Sequence, residues 1–207
     1  MMTRLWIAPT LGLFLIVHPV EPRAAGDAYQ VDAAKSRVTI AVGKSGAFSF
    51  LGHKHEVSGP IESGSLDIDP DDLSRSHVRI VIATSSLKVS GVDEPPEDRP
   101  KVQATMESND VLGVARFPRI AFESTSIAAN RPAAPAFDVV VTGRLTIRDV
   151  TRPVSVPVQV QLADRSLTAN GRFSVKQTEY GIKPISVGGA VAVKDRLDIA
   201  FTIAAQR

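Results

Sequence analysis

The chain has 207 residues, with 24 Lys and Arg against 22 Asp and Glu, 43% hydrophobic residues, 5% aromatic residues and no cysteine. This composition describes one globular domain and excludes a disordered tail; a net charge of +2 with no basic run excludes nucleic acid as a partner. Without cysteine there is no disulfide framework, thiol nucleophile, Cys-ligated metal or acylated lipoprotein anchor.

At the N-terminus Arg4 precedes an apolar run from Leu5 to Val17, and a polar stretch follows to Asp27. The run is shorter than the roughly 20 residues that span a bilayer. Pro9 and Gly12 interrupt it, so the pattern predicts a secretory signal peptide over residues 1–28 and not a permanent anchor. Gly26 and Ala28 place small side chains before a cut at Tyr29, and Ala24-Ala25-Gly26 offers a cut two residues earlier. Residues 29–207 then form a single domain.

Beyond Tyr29 the dominant signal is period-two alternation, the pattern of half-buried strands. Val38, Ile40 and Val42 share one face, as do Val78, Ile80 and Ile82. Between Ser90 and Phe117 the alternation stops. Asp98 as N-cap, Pro100 in the first turn, Val102 and Met106 on one face and Gly113 as terminator predict one short helix. The acidic run from Asp93 to Asp98 lacks the oxygen spacing of a calcium loop and is expected to be a solvated loop. Four long alternating runs follow, over Val139 to Ile147, Val154 to Leu162, Leu167 to Val175 and Leu197 to Ile203. Residues 148–153, 163–166 and 194–196 are polar breaks of hairpin length between them. Such tight connections make the strands antiparallel neighbours.

These elements predict an all-β protein whose antiparallel up-and-down sheet of about eight strands closes into a barrel, with one short helical insertion. Closure removes the sheet edges, although a sandwich is a competing way to hide them. Glycines at 64, 143, 171, 188 and 189 suit bulges, tight bends or close approach in such a sheet. The inward faces are Val, Ile, Leu and Phe, a lining that suits either an apolar ligand or a packed core.

Four segments, Tyr29-Gln30-Val31-Asp32 with Ser36-Arg37-Val38, residues 117–125, residues 143–154 and Glu179-Tyr180-Gly181-Ile182, resemble the YceI-like family in order and spacing. The resemblance implies a lipocalin-like barrel in the bacterial periplasm with an apolar tunnel that in some members holds a polyisoprenoid chain. It carries over no catalytic residue. The region Glu97-Asp98-Arg99-Pro100 departs from the commoner family pattern before the helix. The segment from Phe48 to Val57 looks like a branch marked by Gly-His-x-His at Gly52 to His55.

The expected function is therefore a periplasmic carrier of an apolar lipid or isoprenoid, with no cofactor, no catalytic role and no transmembrane anchor after cleavage. A homodimer is compatible with it. Candidate ligand contacts are Phe48, Phe50, His53, His55, Phe122, Phe173 and Tyr180. Tyr180, with an apolar ring and a polar tip, suits a tunnel mouth or a strand end. The alternative centres on His53 and His55, whose i, i+2 spacing on a strand offers two imidazoles to one zinc or copper ion. That site needs a third ligand, for which His77, Glu56 and remote Asp or Glu residues are candidates, and becomes an enzyme only with an open water position. No Gly-x-Ser-x-Gly elbow is present to support a serine hydrolase.

Overall fold

A computed structural model describes residues 27–45, 55–90, 96–133, 135–187 and 191–207. Among these the strands join one antiparallel sheet that closes on itself. Strands β1 (Asp27–Val31) and β2 (Arg37–Ser45) lie end to end along one edge of β12 (Val191–Gln206). The next stave is β3 (His55–Pro60) continued by β4 (Ser63–Ile68), and the third is β5 (His77–Ala83) continued by β6 (Lys88–Val89). Then come β7 (Arg119–Ala133), β8 (Ala136–Ile147), β9 (Val150–Ala163), β10 (Ser166–Lys176) and β12, each paired with the one before it. The pairs Gln30 with Gln206 and Val31 with Ala205 close the ring. The result is the eight-staved up-and-down barrel that the alternation predicts. A two-residue β11 (Ser186–Val187) pairs outside the ring with β12. No helix among the described residues is long and apolar enough to cross a membrane.

The first three staves are broken where the backbone bends, and polar side chains replace the lost ladder bonds. Between β1 and β2 the buried Ser36 hydroxyl donates to the Ala204 carbonyl and accepts from the Ala204 N–H, so β12 keeps its partners across the jog. Between β5 and β6, Thr84 donates its hydroxyl to the Phe117 carbonyl at 2.9 Å. At the far end of the barrel Asp69 accepts from the Asp71 and Asp72 N–H groups and pairs with Arg75 at 2.7 Å. This network fixes the tight turn Leu73–Arg75, whose Leu73 packs against the core.

Among the described residues the single α-helix, α1 (Arg99–Glu107), covers the open edge of β6. The Gln103 amide does this directly: Oε1 accepts from the Val89 N–H at 2.9 Å and Nε2 donates to the Leu87 carbonyl at 3.0 Å. A side chain thus pairs an edge that a strand would otherwise pair. Pro100 sits in the first turn as expected, but Asp98 makes no side-chain cap. The helix stops at Glu107, well before Gly113, because Ser108 turns into extended backbone and its hydroxyl takes the Thr105 carbonyl. Gly113, at φ 59, instead shapes the return to β7 by accepting from the Arg116 and Phe117 N–H groups.

Two expected breaks lie inside strands. Residues 150–153 belong to β9, so the β8–β9 turn is only Arg148-Asp149, with Arg148 in the left-handed region at φ 60. Its guanidinium lies over the Phe117 ring at 5.1 Å, a contact that offsets the strained backbone. Residues 194–196 form a bulge within β12, between Val193 and Leu197, because pairing with β2 resumes after the register shift.

The strand glycines answer to close approach. A methyl at Gly143 would fall 2.5 Å from the Glu123 carbonyl oxygen and into the Phe122 ring; at Gly171 it would strike the Phe201 ring. In each case a phenylalanine ring of the neighbouring strand takes the space that a side chain at the glycine would need.

Candidate functional site: an apolar tunnel with an unpartnered tyrosine hydroxyl

Inside the barrel is a cavity of about 240 Å³. Inward positions of every stave contribute to it, including Val38, Val57, Ile80, Ile120, Val156 and Ile203. Along β8 the wall runs from Phe137 to Ile147, a rise of roughly 34 Å of strand at about 3.4 Å per residue step. A volume this small along a wall this long fits a slender chain and not a bulky ring system. Among the described residues no Asp, Glu, Lys, Arg or His lines it. Met106 of α1 and Val111 and Leu112 after it close one end, and Leu73 and Ser76 lie at the other.

The barrel wall is split beside the helix end. Pairing of β9 with β10 stops at Gly171 and Val158, so residues 150–157 of β9 and 172–176 of β10 have no hydrogen bonds to each other. Pro153 and Pro157 fall on this unpaired length, where a strand tolerates residues without an N–H. The turn Gln177–Tyr180 folds into the split. It is held by Asp195, the bulge residue of β12, which accepts from the Thr178 N–H at 2.9 Å and hydroxyl at 2.7 Å. Gln177 donates to the Lys194 carbonyl at 2.8 Å, and Arg152 and Arg148 reach across to the Glu179 and Gly181 carbonyls. Gly181 at φ 69 ends the turn.

This framework presses Tyr180 into the barrel, where it is 1% exposed and lines the cavity. Its hydroxyl is shielded from solvent and has no hydrogen-bond partner among the described residues. Burial, reinforced by Glu179 and opposed by Arg152, pushes its pKa up to about 12, so the phenol stays protonated in neutral solution. The sequence leaves Tyr180 at a mouth or a strand end. The structure places it just past the end of β10 and buries it in the cavity lining, because the turn after β10 folds inward through the split.

The other candidates are spread around the barrel. Phe122 and Phe173 are half-buried and line the cavity, with Phe173 packed edge-on against Phe201 at a centroid distance of 6.5 Å. Phe48, Phe50 and His53 lie outside the described residues, in the stretch joining β2 to β3. His55 begins β3 opposite Val42, on the face that carries Val57, beside the helix end of the cavity but not in its lining. Glu56 is on the outer face, within reach of the Ser90 hydroxyl at 3.3 Å. His77 pairs with Asp67, twelve residues from His55 along the second stave, or roughly 40 Å at about 3.3 Å per residue. Neither can join His55 at one ion. Among the described residues no three His, Cys, Asp or Glu side chains cluster closely enough to hold a metal. Gln103 and Gln177, which position the helix and the Tyr180 turn, carry no sequence signal that marks them. Phe137, by contrast, belongs to a visible alternation.

Residues 29–205 match the YceI-like domain family. The chain belongs to that family. A UPF0312 protein of Pseudomonas aeruginosa is 33% identical over 97 residues, which is 47% of this chain and 44% of that protein. The match therefore spans less than half of that relative. A UPF0312 protein of Shewanella denitrificans is 28% identical over 150 residues, 72% of this chain and 69% of that one. Among solved structures, Burkholderia cenocepacia BcnA superposes with a TM-score of 0.63 at 21% identity, covering 85% of this YceI-like chain and 99% of its own. A polyisoprenoid binding domain from Saccharophagus degradans, implicated in plant cell wall breakdown, gives a TM-score of 0.55 at 12% identity, covering 86% and 97%. At these identities the likeness to solved structures is one of fold.

Proposed function

We propose that this YceI-like protein binds one apolar, lipid-like molecule, a polyisoprenoid or a related chain, inside its barrel. It acts as a carrier in the periplasm after removal of an N-terminal signal peptide, and binding, not catalysis, is its task. The observation that carries this reading is the narrow cavity inside the barrel, lined by apolar side chains from every stave and, among the described residues, by no charged one. Affinity then comes from burial, at about 0.8 kcal/mol for each methylene taken out of water. The polyisoprenoid-binding neighbour of the same fold supports the choice of ligand class.

The test is uptake of a slender fluorescent polyene from neutral vesicles by the protein freed of lipid by unfolding and refolding. Saturation at one polyene per chain, with emission typical of a dry environment, is expected. Emission that stays with the vesicles at all protein concentrations would contradict the reading.

A further inference from the structure

Among the described residues, three side chains that line the cavity bear N–H or O–H groups: Ser76, Gln177 and Tyr180. The Ser76 hydroxyl accepts from the Asp69 N–H at 3.0 Å, and the Gln177 amide donates to the Lys194 carbonyl. Both are held by the protein itself. The Tyr180 hydroxyl is not, although the residue is 1% exposed. An unpaired buried hydroxyl weakens a fold, and phenylalanine would fill the same space without that cost. The fold nevertheless drives this group inward through a split in the barrel, using Asp195, Gln177 and two arginines to hold the turn that carries it.

We infer that the Tyr180 hydroxyl donates a hydrogen bond to an uncharged oxygen of the bound molecule, so the ligand is an apolar lipid bearing a carbonyl or ether oxygen and not a pure hydrocarbon. This rests on the reading of the cavity as a tunnel for an apolar chain. An uncharged acceptor follows from the surroundings, because an anionic group drawn to this depth would meet no charged partner among the described lining residues. The protonated phenol, with its pKa near 12, suits a neutral acceptor. The oxygen-bearing end would lie near α1, with the chain running toward Leu73.

Two probes of equal carbon number separate the possibilities: an isoprenoid hydrocarbon and the matching isoprenoid methyl ketone. Each is titrated against the full chain and against Tyr180→Phe by displacement of the fluorescent polyene. The unaltered protein is expected to favour the ketone by about three- to tenfold, the worth of one net hydrogen bond. Tyr180→Phe should erase that preference, keep the hydrocarbon affinity and melt no lower than the unaltered protein. With only two tyrosines in the chain, a Tyr29→Phe background leaves the Tyr180 ring carbon as a single NMR reporter, which should shift with ketone and stay in place with hydrocarbon. Equal affinities in the unaltered protein, or a preference that survives Tyr180→Phe, would overturn the inference while leaving the tunnel intact. Binding of neither probe would overturn the tunnel and the inference together.

Discussion

Phe173→Glu is expected to empty the barrel while leaving its sheet in place. Phe173 lines the cavity, pairs across the ladder with Ile199 and packs edge-on against Phe201. A carboxylate there has no described cation in the lining to pair with, so it keeps water around it and excludes an apolar chain from that stretch. Denying the chain about five methylenes of contact costs about 4 kcal/mol at about 0.8 kcal/mol each, or roughly a thousandfold in affinity. Polyene uptake should fall to background. Phe173→Leu, which keeps the apolar wall, should bind within a few-fold of the unaltered protein, and Phe122→Glu on another wall should behave like Phe173→Glu. Full occupancy in both charged variants, with native circular dichroism, would place the ligand outside the barrel.

Gly143→Ala is expected to produce the largest loss of stability from a single methyl. Overpacking in well-packed regions costs about 1–3 kcal/mol, and more where the obstacle cannot move. Here one obstacle is the Glu123 carbonyl, 2.5 Å from the added carbon and fixed by the β7–β8 ladder; the other is the Phe122 ring. A loss of about 3 kcal/mol corresponds to a fall of roughly 6–12 °C in Tm for a chain of this size. Combining it with Phe122→Leu should restore part of the loss, since the ring is removed and the carbonyl stays. Gly181→Ala meets open space and is strained only through its φ of 69, so it should cost less. A Gly143→Ala protein that melts like the unaltered one would show that β7 and β8 yield more freely than their register implies.

The barrel was legible because its signal is local and repeated. Val139 to Ile147 and Val154 to Leu162 alternate over whole strands, and every second residue proves to face inward. Chain breaks were harder. Polar tripeptides such as Lys194-Asp195-Arg196 look like turns, yet an antiparallel ladder absorbs extra residues as a bulge and resumes, as β12 does beside β2. Pro100 and Met106 mark the helix in the sequence, whereas its end is set by the Ser108 side chain, which turns the chain first although it is a weaker sequence signal than Gly113.

The site was legible only as apolar faces. Phe122 and Phe173 follow from alternation alone. The burial of Tyr180 depends on β9 and β10 parting after Val158, a tertiary event with no periodicity to announce it. The same holds for His55 and His77, two histidines in one chain that the topology sets at opposite ends of neighbouring staves.

The central claim is that the barrel carries an apolar molecule in its natural setting. Native mass spectrometry of the protein isolated from its own cells, followed by denaturing release and identification of whatever leaves, tests it most directly. The expected result is one hydrocarbon-rich, oxygen-containing adduct per chain, absent from Phe173→Glu prepared in the same way. A bare chain in the unaltered protein, with no lipid released on unfolding, would contradict it.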